Sequence, residues 1–129
     1  MAQKNDILKE TFNEGDYIFF EGDIESHFYI IETGDVQIFT KNKAGKRLDI
    51  LKVTAGESFG EFALLDKKPR SASAQALTEV HLIKVSESGY EELLLELPMW
   101  ASSMMKSFTT RLKNMTQILK DSDQFLPRK

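Results

Sequence analysis

Glu61 and Arg70 are the two side chains of this sequence best suited to holding a ligand together. They belong to one stretch, Gly56-Glu57-Ser58-Phe59-Gly60-Glu61-Phe62-Ala63-Leu64-Leu65, continued after a short charged loop by Pro69-Arg70-Ser71-Ala72-Ser73-Ala74. A carboxylate accepts hydrogen bonds, and a guanidinium offers a planar fork of charged donors that matches a phosphate. A ligand with a hydroxyl beside a phosphate suits both, and a sugar phosphate is the minimal description. Gly60, without a side chain, lets backbone approach such a ligand closely. The run from Glu61 to Leu65 reads as one helical turn whose open N-terminus presents unpaired N–H groups to an anion.

Short strands must position this stretch. Gly15, Gly22, Gly34, Gly45 and Gly56 punctuate apolar or alternating runs, the pattern of many short strands. Strands are predicted at Tyr17 to Phe20, His27 to Glu32, Val36 to Thr40, Leu48 to Val53, Ala72 to Ala76 and Val80 to Val85, with Asn42-Lys43-Ala44-Gly45-Lys46 as a polar hairpin loop. Val36, Ile38 and Thr40 alternate with Gln37, Phe39 and Lys41, which predicts that one face of this strand looks inward while the other is partly wet. Ala72, Ala74 and Ala76 share one face beside Arg70 and are expected to leave room for a ligand. Ile7 to Phe12 is read as a short helix or entry segment, with Leu8 and Phe12 on one face.

After Val85 the period changes. Glu87 to Leu97 is predicted as a helix capped by Ser86, with Gly89 weakening its first turn, and Pro98 as the break. A longer helix is predicted from Met99 to about Lys120. Its Trp100, Met104, Phe108, Leu112, Met115 and Leu119 fall on one apolar stripe. Residues 121–129 form a loose tail. The fold class expected is mainly β with flanking helices: a β-roll or jelly-roll (double-stranded β-helix) barrel with a short cassette helix and two C-terminal helices. The domain layout is an N-terminal segment 1–14, a β-roll 15–86 containing the ligand stretch 56–74, and C-terminal helices 87–120.

The motifs FGEFALL and PRSASA resemble the phosphate-binding cassette of the cyclic nucleotide-binding domain family. Phe19-Phe20-Glu21-Gly22-Asp23, Phe28-Tyr29-Ile30-Ile31 and Gly34-Asp35-Val36 are similar to that family's glycine-punctuated strands, so the resemblance spans roughly residues 8 to 120. It implies that Glu61 and the Gly60 N–H hold the ribose 2'-hydroxyl. It also implies that Arg70 pairs with the cyclic phosphate, helped by the N–H groups of Ala63 and Ser71 and by the Ser71 hydroxyl. Phe59, Phe62 and Ala72 complete the implied ligand contacts, and Ile38 and Ile50 line the implied pocket. Arg111, Met115 and Thr116 take the position of a lid over the base. Ser71 is compatible with cyclic AMP and cyclic GMP alike. For an isolated arginine the default reading is an exposed ion pair, here with Asp66 or Glu57; the intact cassette reverses that preference. Glu61 alone would be an ordinary first-turn acid. The plain alternative for Met115 is core or dimer seam, with Arg111 and Thr116 solvated.

Composition bounds the function. The 129 residues suffice for one domain with one core. Lys and Arg number 17 against 20 Asp and Glu, a formal net charge of -3, which disfavours direct nucleic-acid binding. With no cysteine, disulfides, thiolate metal sites and iron–sulfur clusters are excluded. His27 and His81 are strand residues without metal-ligand partners nearby in sequence. Lys41, Lys43, Lys46 and Arg47 read as a solvated hairpin. No signal core or membrane span is legible, so a cytoplasmic protein is expected.

No catalytic constellation and no cofactor or metal are expected; the ligand is regulatory. The chain shows no evident output domain before Lys129. The sequence therefore predicts a stand-alone cyclic nucleotide-binding regulatory module, with cyclic AMP favoured over cyclic GMP. It would signal through its C-terminal helix to a second subunit or an effector protein. The alternative is a nucleotide-independent interaction or structural module of the same fold.

Overall fold

The computed structural model describes residues 7–61 and 69–121. The eight described strands are β1 (Ile7–Phe12), β2 (Tyr17–Phe19), β3 (His27–Thr33), β4 (Asp35–Lys41), β5 (Arg47–Thr54), β6 (Ser58–Phe59), β7 (Ser73–Ala76) and β8 (Val80–Ser86). They form two four-stranded sheets, ordered β1-β8-β3-β6 and β2-β7-β4-β5. Every pairing is antiparallel. The jelly-roll expectation is met. The cassette helix expected at residues 61–65 lies almost wholly outside the described residues, as does the tail 122–129.

The core lies between the sheets, where Tyr29 and Ile31 of β3 meet Val36 of β4, Ala74 and Ala76 of β7 and Leu82 of β8. These apolar groups are removed from water on every side, which is the main favourable term in folding. Ala74 and Ala76 are fully buried members of this core, so their small size serves close approach of the sheets, and the expectation that they leave room for a ligand is corrected. β3 is apolar on both faces because Phe28, pointing away from the core, meets Tyr90 edge-on at 5.9 Å. The helix carrying Tyr90 thus covers the outer face of the barrel.

The alternation expected along β4 is interrupted by a register shift between Ile38 and Phe39. Ile38 pairs with Leu51 but Phe39 pairs with Asp49, which leaves Ile50 as an extra residue in β5. This bulge changes the alternation: Val36 and Phe39 are buried, whereas Ile38 and Thr40 are only partly covered. Ile7–Phe12 is a strand rather than a helix, in register with β8 from Ile7 opposite Val85 to Phe12 opposite Val80. Local side-chain spacing could not show this pairing, because β8 lies at the far end of the barrel sequence. β6 is similarly short and is defined by its pairing with Tyr29 and Ile30.

The two described helices are α1 (Glu87–Leu95) and α2 (Met99–Asp121). Ser86 caps α1 as expected, its hydroxyl accepting from the Gly89 N–H at 3.0 Å. Helix α1 stops before Leu97, and the Pro98 carbonyl accepts from Ala101 and Ser102 to open α2. Tyr90 of α1 and Thr109 of α2 share a hydroxyl contact of 3.1 Å. The apolar stripe on α2 is exposed: Trp100 is 70% and Met115 58% accessible.

Gly34 joins β3 to β4 with φ +98, a conformation that side chains disfavour. A Cβ here would run into the Glu79 carbonyl oxygen and come within 2.9 Å of Val80 Cγ2. Gly34→Ala is therefore expected to destabilise the fold by about 2–4 kcal/mol, read as a lower urea midpoint with an unchanged m-value.

Candidate functional site: a buried arginine at the mouth of the barrel

Backbone hydrogen bonds bring Arg70 to its place. Its N–H donates to the Asp23 carbonyl and its carbonyl accepts from the Gly22 N–H, both at 2.8 Å. The turn that provides these partners is itself fixed. Phe20 N–H donates to Asp23 Oδ2 at 2.9 Å, and Glu21 N–H donates to Ser73 Oγ at 2.8 Å. Ser73 follows Arg70 closely in sequence, so the second limb of the cassette is sewn to the β2–β3 connection at two points.

The guanidinium then has defined partners. Nη1 donates to the Gly60 carbonyl at 3.0 Å and Nη2 to the His27 carbonyl at 2.7 Å. Cζ lies 4.1 Å from the centre of the Phe19 ring, a cation–π arrangement. Glu25 Oε1 is 3.5 Å from Nη2, and the arginine side chain is only 5% exposed. Nε is buried with no hydrogen-bond partner among the described residues. A buried charged donor without a partner costs free energy unless something satisfies it, so the site is poised to receive an acceptor.

Gly60 makes this closure possible. It has φ +80, and a Cβ would come within 2.9 Å of Arg70 Nη1. The Glu61 carboxylate is held by Ser58, whose hydroxyl donates to Oε2 at 2.7 Å, and it is exposed rather than paired with Arg70. Gly60, Glu61 and Arg70 therefore converge on one end of the barrel with two different polar functions. Phe59 is stacked on Tyr29 at 5.2 Å, pairs with it in the β3–β6 ladder and is buried in the core. Ser71 is exposed and Ala72 half-buried. Phe62 and Ala63 lie outside the described residues.

The remaining predicted site residues are more scattered. Ile38 packs partly against the core and Ile50, the bulge residue, is exposed. Arg111 and Met115 are exposed on α2, where nothing covers Met115 closely, and the Thr116 side chain lies outside what is described. Arg70 has Glu25 as its carboxylate rather than Glu57, which instead accepts from the Thr54 N–H at 2.8 Å. Sequence reasoning missed Glu25, Phe19 and the His27 carbonyl, because only the folded connection brings them to Arg70. Asp66, the other expected partner, lies outside the described residues. The basic hairpin is ordered by Asn42, whose Oδ1 accepts from Ala44 and Lys46 N–H groups, while Arg47 is engaged by Asp49 and Gln75. Among the described residues no His, Cys, Asp and Glu grouping suits a metal.

Two titrating groups sit beside Arg70. The Tyr29 phenol is pushed well above its usual range, first by burial and then by Glu25, so its hydroxyl stays a donor, to Glu25 Oε1 at 3.4 Å. The His27 imidazole is shifted down, first by burial and next by Lys84.

Residues 9–96 match the family model for the cyclic nucleotide-binding domain, and the chain belongs to that family. It is 41% identical over 94 residues to a cAMP-dependent protein kinase regulatory subunit of Emericella nidulans, covering 73% of this chain and 22% of that protein. It is 30% identical over 105 residues to the cyclic AMP receptor protein of Thermus thermophilus, covering 81% of this chain and 49% of the relative. The chain thus spans half or less of these relatives. Among solved structures, an EAL enzyme in a half-site-occupied form superposes with a TM-score of 0.77 and 30% identity, over 84% of this chain and 97% of that one. Forms of an EAL enzyme bound to cAMP and to cGMP both give 0.63, at 30% and 31% identity, over 92% of this chain and 32% of theirs.

The shift of His27 has a consequence for stability. Unfolded His27 takes up a proton near pH 6.5, whereas the folded form resists protonation to lower pH. Above about pH 6.5 both states are neutral and this group leaves stability unchanged. As pH falls below that value the unfolded state binds the proton first, so stability declines until the folded pKa is passed. His27→Gln should make the decline shallower between pH 6.5 and 5, compared through urea midpoints of the two proteins across that window.

Proposed function

We propose that this chain is a cyclic nucleotide receptor module in which Arg70 binds the cyclic phosphate and Glu61 the ribose hydroxyl. The observation that carries this reading is the Arg70 guanidinium, buried and held in place, with Nε unsatisfied among the described residues. Burying a cation costs several kcal/mol unless charges and acceptors compensate it. An anionic ligand at the mouth of the barrel supplies both. Gly60, Ser71 and Ala72 provide backbone at the same place, and Ala63 and Phe62 belong to the adjoining stretch. We assign no reaction to the module; it acts by binding.

Cyclic AMP is the favoured ligand, with cyclic GMP the competitor. The two curated relatives above are named for cyclic AMP, while the EAL enzyme's bound forms include both nucleotides. Exposed Ser71 suits either base. Ile38 and Ile50 are proposed as apolar wall, and Arg111, Met115 and Thr116 as the lid that α2 would bring over the base. For this, α2 must move, and a ligand moves it only by binding one arrangement better than the other. The exposed Trp100, Phe108 and Leu112 on the same helix support a partner, either a second copy or an effector protein. A cytoplasmic location belongs to the same proposal; no described helix is long and apolar enough to cross a membrane.

Calorimetric titration of nucleotide-stripped protein with cyclic AMP and cyclic GMP in parallel tests the reading. Arg70→Ala is expected to weaken binding by about 2–5 kcal/mol, and Glu61→Gln by about 1 kcal/mol, since the amide still accepts one hydrogen bond. Absence of heat with either nucleotide would favour the nucleotide-independent module. Sedimentation at high concentration with and without nucleotide addresses the partner: a second copy requires association in at least one state, and a monomer in both rejects it.

A further inference from the structure

The contacts of Arg70 on the side away from Gly60 point to a further component of the site. Glu25 Oε1 lies 3.5 Å from Arg70 Nη2 and also accepts from the Tyr29 hydroxyl at 3.4 Å. Tyr29 is itself a core residue, 1% exposed and stacked on Phe59. The carboxylate is thus tethered from below by the core and faces the guanidinium. The other groups at this end, the His27 and Gly60 carbonyls, carry only dipoles. Glu61 carries charge but is turned to Ser58. Glu25 is therefore the full negative charge against Arg70 among the described residues, and it is partly exposed, with 30% of its side chain accessible.

We propose that Glu25 is the resident counter-ion of Arg70, stabilising the ligand-free fold and opposing the anionic ligand. The inference rests on Arg70 being the phosphate site. Without ligand, the carboxylate offsets the cost of a buried guanidinium. A phosphate on Arg70 lies close enough to Glu25 for the two anions to repel, with little intervening water. The same charge therefore acts in opposite directions on stability and on affinity. Tyr29 makes Glu25 a positioning residue with a fixed distance, because its hydroxyl hydrogen bond keeps the carboxylate from swinging into solvent.

The variant that isolates the charge is Glu25→Gln, which retains an oxygen to accept from Tyr29 and Arg70. Ligand-free Glu25→Gln should melt about 5 °C lower than the unmodified protein. In an Arg70→Met background the same substitution should leave the melting temperature unchanged, since no cation remains to be neutralised. With Arg70 present, Glu25→Gln should bind cyclic AMP about threefold to tenfold more tightly, the scale of a partly screened charge pair. The gain should shrink as sodium chloride is raised, which a purely steric role would not produce. Glu25→Ala, which loses the hydrogen bonds as well, serves as the contrast and should gain less affinity than Glu25→Gln.

Equal destabilisation by Glu25→Gln in both Arg70 backgrounds would overturn the counter-ion role. Weaker binding by Glu25→Gln would overturn the opposition to ligand and leave Glu25 as a simple orienting group. Failure of the unmodified protein to bind either cyclic nucleotide would instead reject the receptor reading. The melting cycle uses no nucleotide and still decides whether Glu25 neutralises Arg70.

Discussion

A guanidinium withdrawn from water is the constraint around which this barrel mouth is built. Arg70 is 5% exposed, and an isolated cation so placed would cost several kcal/mol, a large part of a small domain's total stability. Its surroundings answer that cost with backbone rather than with a single strong ion pair. Two carbonyls accept from Nη1 and Nη2, an aromatic face lies beneath, and one tethered carboxylate approaches Nη2. Each partner comes from a different part of the chain: β2, the connection into β3, β3 itself and the cassette's first limb. The arginine therefore joins segments that the sheets alone would hold only loosely.

The sheets make that arrangement possible. Antiparallel pairing of β3 with β8 and β6, and of β7 with β2 and β4, brings the starts of β3 and β7 to the same end of the barrel. Ser73, the first residue of β7, shows how closely this end is fitted, since its hydroxyl accepts from the Glu21 N–H in the connection into β3. Small residues follow for the same reason. Ala74 and Ala76 let the sheets approach, and Gly60 lets the arginine approach its carbonyl. At the opposite side, Phe28 and Tyr90 couple the barrel to α1, and the Tyr90–Thr109 contact couples α1 to α2. This is a continuous physical route from β3, whose first residue touches Arg70 through its carbonyl, to the exposed helix.

Family membership and this geometry bear on different levels. The match over residues 9–96 shows what kind of domain this is, while the contacts of Arg70 and the tethering of Glu25 are read from this chain's own fold. The relatives are two to several times longer than the portion they share with this chain. Binding chemistry is thus the level at which the barrel is informative.

Much of the architecture was legible from residue order alone. Glycine punctuation and alternating runs located six of the strands closely, the change of period after Val85 located both helices, and Ser86 and Pro98 marked their boundaries. Local chemistry suffices there because caps, breakers and side-chain periodicity act over a few residues. The cassette motif likewise singled out Gly60, Glu61 and Arg70. What local order could not show was anything decided by pairing at long range. Ile7–Phe12 becomes a strand because β8 offers an edge, Phe39 turns inward because Ile50 is an extra residue in β5, and Ala74 belongs to the core because the opposing sheet needs a small neighbour. Above all, nothing near Arg70 in sequence names Glu25, His27 or Phe19 as its companions. Charge type and spacing singled out the arginine; only the tertiary fold, by closing the barrel around it, decided which groups surround that charge and, among the described residues, which of its donors is left without a partner.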